Sequence, residues 1–220
     1  ATLVDDDALL NVEEAERRIA STESSRTAHL AEIPIIDAQQ NATHKNIAAE
    51  EAKIGSPEAK VTIIEFFDPA CETCSAFYPL VKGLIRSNFG QVNLVMRYAP
   101  LHKGSDQVVK ILEAARMQDL YWPVLEAMLQ SQNAWVIQHQ SQPHLVWDQI
   151  KGTGLDIGKA QADMNLPEIA KIVEQDIADG RALNVTKTPG YFVNGKPLVN
   201  FGWEQLQALV AQEVRSAYGN

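Results

Sequence analysis

Cysteine is nearly absent: the 220 residues contain two, and both fall in the tetrapeptide Cys71-Glu72-Thr73-Cys74. A chain of this length can bury a full core, so disulfides are not its scaffold. A structural disulfide also gains most by closing a long loop, and this ring is about as short as one allows. Bases are outnumbered, 19 against 28 acids, for a net charge of −9. That deficit argues against a nucleic acid or an anionic membrane surface as partner. No run of about 18 apolar residues exists, so no segment reads as a bilayer span. There is no basic-then-apolar leader, and the chain opens at Ala1 rather than Met, as expected of a mature or trimmed chain with its targeting segment removed. No internal repeat of fixed period is present. The rest of the composition, 45% apolar and 21% charged, is that of a folded globular protein with one domain and additions, or two small ones.

Residues 1–54 read as an N-terminal arm. Asp5-Asp6-Asp7 suits a helix N-terminus, and Leu9, Leu10, Val12, Ala15 and Ile19 form a weak apolar stripe behind it. The arm is either a partly disordered leader or an oligomerising element whose apolar face needs a second subunit. At Gly55-Ser56-Pro57 the texture changes. Val61–Phe67 is a continuous β-branched and aromatic run, as expected of a strand buried on both faces. Asp68-Pro69-Ala70 breaks it, and a helix is expected from Cys71 to Ser87 with Phe77, Leu80, Val81, Leu84 and Ile85 on one side and a kink at Pro79. Val92–Tyr98 reads as a second strand. From Ser105 to Leu183 the pattern is helical, broken by the Gln-rich stretch 130–142 and by Gly152-Thr153-Gly154. Tyr191-Phe192-Val193, Asn194-Gly195 and Lys196–Val199 form a hairpin signal, and a last helix runs from Trp203 to Ala217. The order describes an α/β protein with a mixed sheet and a helical insertion.

Cys71 lies where a buried strand passes into a helix. Free backbone N–H groups and the dipole there stabilise a thiolate, the attacking species in disulfide exchange. Cys71 is therefore the expected nucleophile and the exposed sulfur, and Cys74, one turn inside the helix, the buried resolving thiol. The competing use of the pair is as part of a metal site. Zinc with His139 and His144 would need a far longer interval than a small finger uses, whereas soft Cu(I) fits an exposed dithiol better.

The segment Glu65-Phe66-Phe67-Asp68-Pro69-Ala70-Cys71-Glu72-Thr73-Cys74 resembles the active-site segment of the thioredoxin superfamily. Thr188-Pro189, followed by Tyr191–Gly195, is similar to the cis-proline loop and closing hairpin of DsbA-like thiol:disulfide oxidoreductases. About 115 residues separate Cys74 from Pro189, so the helical stretch resembles the domain inserted in that branch. The resemblance implies a thioredoxin-fold domain from residues 55–104 and 184–220, an inserted helical domain at 105–183, and the arm outside both. It implies an enzyme of the periplasm or cell envelope that needs no cofactor. Its partners would be unfolded or partly folded cysteine-containing proteins and a redox protein that resets the dithiol; the arm would make a homo-oligomer. Glu65 matches the family's buried carboxylate and would accept the Cys74 proton, or else be a salt-bridged strand carboxylate. Thr188, Pro189, Glu72 and Thr73 would meet substrate. The DsbA type usually carries Pro-His between its cysteines. With Glu72-Thr73 there instead, a carboxylate should raise the Cys71 pKa and no imidazolium is at hand to lower it. Thr188 also resembles the isomerase branch, so the direction of exchange stays open. The alternative function is an envelope copper-binding protein using the same two sulfurs. His102, after Tyr98-Ala99-Pro100-Leu101, either borders the active-site groove or, the better reading, is a surface histidine, and Trp122, Trp135, Trp147 and Trp203 read as packing residues.

Overall fold

The computed structural model describes residues 53–219. The expectations for residues 1–52, the apolar stripe included, lie outside them. Strand β1 (Lys53–Gly55) pairs antiparallel with β3 (Val92–Tyr98), so the last two residues assigned to the arm belong to the sheet. Strand β2 (Val61–Phe67) lies parallel to β3 on one side. On its other side is antiparallel β6 (Gly190–Val193), and β7 (Lys196–Pro197) follows at the edge. The order β1-β3-β2-β6-β7 makes β2 the centre of a mixed sheet.

Both faces of β2 are covered, which is what its run, apolar at all but Thr62 and Glu65, requires. Alternation sends Val61, Ile63, Glu65 and Phe67 to one face and Ile64 and Phe66 to the other. The first face packs on α1 (Glu72–Ser87) and on the last helix, α8 (Trp203–Tyr218), through Phe77 rings set against Tyr191, Phe201 and Trp203. On the second, the Phe66 ring lies against Gly180 of α7 (Pro167–Ala182), where an added Cβ would meet the ring at 3.4 Å. Each large apolar side chain buried this way contributes about 2 kcal/mol. Arg97 of β3 ties α7 down by pairing with Asp176 and Asp179, and Asp176 also accepts the Tyr98 backbone N–H at 2.9 Å.

Between β3 and α7 lie α2 (Ser105–Arg116), α3 (Tyr121–Gln130), α4 (Gln132–Trp135), α5 (Pro143–Gln149), a 3-10 turn at Lys151–Thr153 and α6 (Ile157–Asp163). Trp135 is fully buried, with its indole N–H donating to Met128 O at 2.9 Å. The Gln-rich stretch contains a small hairpin, β4 (Val136–Ile137) and β5 (Gln140–Ser141), not expected from sequence. In α1 the apolar side is shifted by one position from expectation. Tyr78 is buried beside Val81, Leu84 and Ile85, while Leu80 is 41% exposed. Pro79 sits inside α1 without ending it.

Candidate active site

Cys71 is the residue before the first turn of α1, with extended backbone at φ −78° and ψ 119°. Its carbonyl accepts the first helical bond, from Ser75 N at 3.1 Å. The N–H groups of the first turn are therefore unused by the helix, and Glu72 there favours the helix dipole. The turn leading in is held from two sides. Asp68, fully buried, accepts Ala70 N at 2.8 Å. Gln132 of α4 donates its side-chain amide to Pro69 O at 2.8 Å and Cys71 O at 3.1 Å. The inserted helices thus fix the redox tetrapeptide directly.

The structure brings the sequence-predicted residues together. Cys71 Sγ lies 3.3 Å from Thr188 O, in the loop whose Thr188–Pro189 peptide is cis. Both cysteines are free thiols. Contrary to expectation, Cys71 is itself mostly covered, 6% exposed against 1% for Cys74, because the Thr188 loop closes over it. Glu65 lies directly across from Tyr191 in the β2–β6 pairing, on the same face of the sheet as the cysteines. It is 1% exposed, its Oε2 has no hydrogen-bond partner, and it makes no salt bridge among the described residues.

The electrostatics separate the two sulfurs. Cys71 is lowered to about 6 by a hydrogen bond from the Cys74 thiol, against the effect of burial, with help from the Thr188 side chain, the Cys74 backbone N–H and the charge of His102. Cys74 is pushed well above its ordinary value by burial first, then by its bond to Cys71 and the negative charges of Cys71 and Glu65. Burial raises Glu65 to about 8, partly opposed by Tyr191 and reinforced by Cys71. At neutral pH the resting set is a Cys71 thiolate, a Cys74 thiol and a protonated Glu65.

Two expectations about the tetrapeptide are corrected. An imidazole does act on Cys71, but it comes from the loop after β3: His102 donates its backbone N–H and Nδ1–H to Asp68, each at 2.8 Å. Glu72 does not dominate the sulfur, because its carboxylate reaches outward to His139 Nδ1 at 3.0 Å. Asp68 and Gln132 are site residues that sequence reading missed, and His102, read chiefly as a surface histidine, is bonded to Asp68 at the site. The only available signal was Asp68 three residues before Cys71, which read as a strand breaker. His139 stands at the tip of the β4–β5 hairpin, 80% exposed, and His144 is in α5. Among the described residues no three His, Cys, Asp or Glu side chains converge into a metal-binding group.

A thioredoxin family model matches residues 47–212. The chain belongs to the thioredoxin family. It is 30% identical over 145 residues to the Na(+)/H(+) antiporter NhaA of Herminiimonas arsenicoxydans, covering 66% of this chain and 22% of that protein. The chain spans less than a quarter of that antiporter relative's length. It is 25% identical over 174 residues to disulfide bond formation protein D of Bacillus subtilis, covering 74% of this chain and 76% of the relative. The crystal structure of a thioredoxin-like oxidoreductase from Silicibacter pomeroyi superposes with a TM-score of 0.67 at 28% identity, over 81% of this chain and 98% of that one. Among the described residues no helix is long and apolar enough to cross a membrane.

Proposed function

We propose that this thioredoxin-family chain is a protein thiol:disulfide oxidoreductase. The observation that carries the proposal is the inequality of the two sulfurs, with Cys71 near 6 and Cys74 well above its ordinary value on one buried helix turn. In the reducing direction the Cys71 thiolate attacks a substrate disulfide, and the mixed disulfide is released when Cys74 attacks back. Cys74 must lose its proton to do so, and Glu65, once ionised, is the buried base on the same face that takes it. In the oxidising direction the steps reverse: a substrate thiolate opens the Cys71–Cys74 disulfide at Cys71, and Cys74 leaves with a proton from Glu65.

Substrate proteins with unpaired or mispaired cysteines would lie as extended chains along Thr188-Pro189, with Glu72 and Thr73 beside the scissile sulfur. A second redox protein would reset the pair, and no bound cofactor enters any step. Such exchange belongs in an oxidising compartment, so the cell envelope is the proposed location. The thioredoxin-fold domain takes β1 to β3 and β6 to α8, the helical domain the elements between, and residues 1–52 the proposed oligomerising arm. Copper binding by the same pair is disfavoured by the comparisons, which include a disulfide bond formation protein and an oxidoreductase. Catalytic reduction of insulin by a dithiol, or oxidation of a reduced peptide, tests the proposal. Turnover by the wild type that is lost in Cys71→Ser supports it; stoichiometric Cu(I) binding without turnover overturns it.

A further inference from the structure

The buried Asp68 carboxylate is spent almost wholly on local positioning. It accepts Ala70 N, the residue before Cys71, and both the backbone N–H and the ring Nδ1–H of His102, all at 2.8 Å. A carboxylate only accepts, so Nδ1 holds its hydrogen in this bond and the titrating proton belongs to Nε2. The ring is bonded to Asp68, just past the end of β2 and on the carboxylate that also holds the turn into Cys71, and the charges acting on it are those of Asp68, Cys71 and Glu72. Glu72 in turn holds His139 of the β4–β5 hairpin, and Lys103, next in the chain, is exposed.

We propose that His102, clamped by Asp68, is the counter-cation of the Cys71 sulfur and takes up a proton each time the Cys71–Cys74 disulfide is reduced. This rests on the exchange function above. When a substrate dithiol reduces the pair, the enzyme S–S bond breaks and a substrate S–S bond forms. Of the two thiol protons released, one goes to Cys74 Sγ and the other to His102 Nε2, leaving a Cys71 thiolate and a His102 imidazolium. Reoxidation removes the negative sulfur and with it the reason for His102 to hold its proton. Burial works against the imidazolium, but the Asp68 bond and charge, then Cys71 and Glu72, outweigh it in the dithiol form. The coupling is reciprocal, so whatever His102 gains from the thiolate the thiolate gains from His102. The device performs, from a separate loop, the task that the tetrapeptide itself leaves undone.

The test is an NMR titration of the His102 ring in the disulfide and dithiol forms of the full chain, assigned by its loss in His102→Gln. The expected midpoint is higher in the dithiol form, and Cys71→Ser, which carries no thiolate at that position, should titrate at the midpoint of the wild-type disulfide form. In parallel, His102→Gln should slow exchange at pH 6.5 by roughly three- to tenfold, with the deficit fading by pH 9, while His102→Lys restores much of the rate. A His102 midpoint equal in both redox states, or a deficit equal at every pH, overturns the proposal. Failure to form a reversible Cys71–Cys74 disulfide would overturn the exchange function and this device with it. Reversible cycling with an indifferent His102 overturns this device alone.

Discussion

Replacing Glu65 with Gln should stabilise the fold while slowing the chemistry. Burial raises this carboxyl from 4.5 to about 8, so between those values the folded chain binds a proton that the unfolded chain releases. Stability must then fall as pH rises through the window, and only below about pH 4.5 is the cost absent. At pH 7 the loss amounts to about 3 kcal/mol, most of it accumulating between pH 5 and 7, from 1.36 kcal/mol per pKa unit. Gln keeps the shape and cannot ionise, so Glu65→Gln should gain on the wild type by roughly 2–3 kcal/mol between pH 5 and 7. Urea unfolding of the disulfide form at the two pH values reads the difference without interference from Cys71 titration. The same variant should resolve mixed disulfides more slowly, since Cys74 loses its base. Parallel pH–stability curves for wild type and variant would refute the reasoning.

The rate of attack on a small disulfide should rise with pH through a midpoint near 6, set by Cys71, and stopped-flow measurement at a midpoint near 9 would contradict the thiolate assignment. In the dithiol form the same lowered value stabilises the fold most fully above the ordinary thiol range, and that contribution is lost as pH falls through about 6; urea midpoints that ignore this range would count against it. Changing Glu72-Thr73 to Pro-His should make the disulfide more oxidising by adding a second imidazole beside the sulfur, and a glutathione redox titration giving an unchanged or more reducing potential would contradict this. Deleting residues 1–50 should convert a homo-oligomer to a monomer that keeps its dithiol activity; light scattering that finds monomers in both chains would reduce the arm to a tether.

The central strand, the cysteine-bearing helix and the closing hairpin were legible because each depends on local chemistry. Val61–Phe67 is apolar at every position but two, and Asn194 and Gly195 adopt the positive φ values, 48° and 78°, that their turn needs. The roles proposed for Cys71, Cys74 and Glu65 follow from spacing and resemblance, while the covering of Cys71, 6% exposed, does not. The second hairpin was hidden because its tip uses Gln138 and His139 at φ 51° and 58°, where neither residue type signals a turn. The links of His102 and Gln132 to the Cys71 turn escaped for a different reason. They reach it from two distant segments, and single-sequence spacing carries no information about which loops the sheet brings side by side. The expected handicap of Glu72 failed on the same ground, since its partner His139 is 67 positions away.

The most direct measurement is mixed-disulfide trapping with single-cysteine variants, read by mass spectrometry after incubation with a disulfide-bonded substrate protein. Cys74→Ser should accumulate a covalent complex through Cys71, because the nucleophile remains and the resolving thiol is gone. Cys71→Ser should trap little, since Cys74 is buried and held protonated. Equal trapping by both variants would contradict the inequality of the two sulfurs on which the proposed function stands.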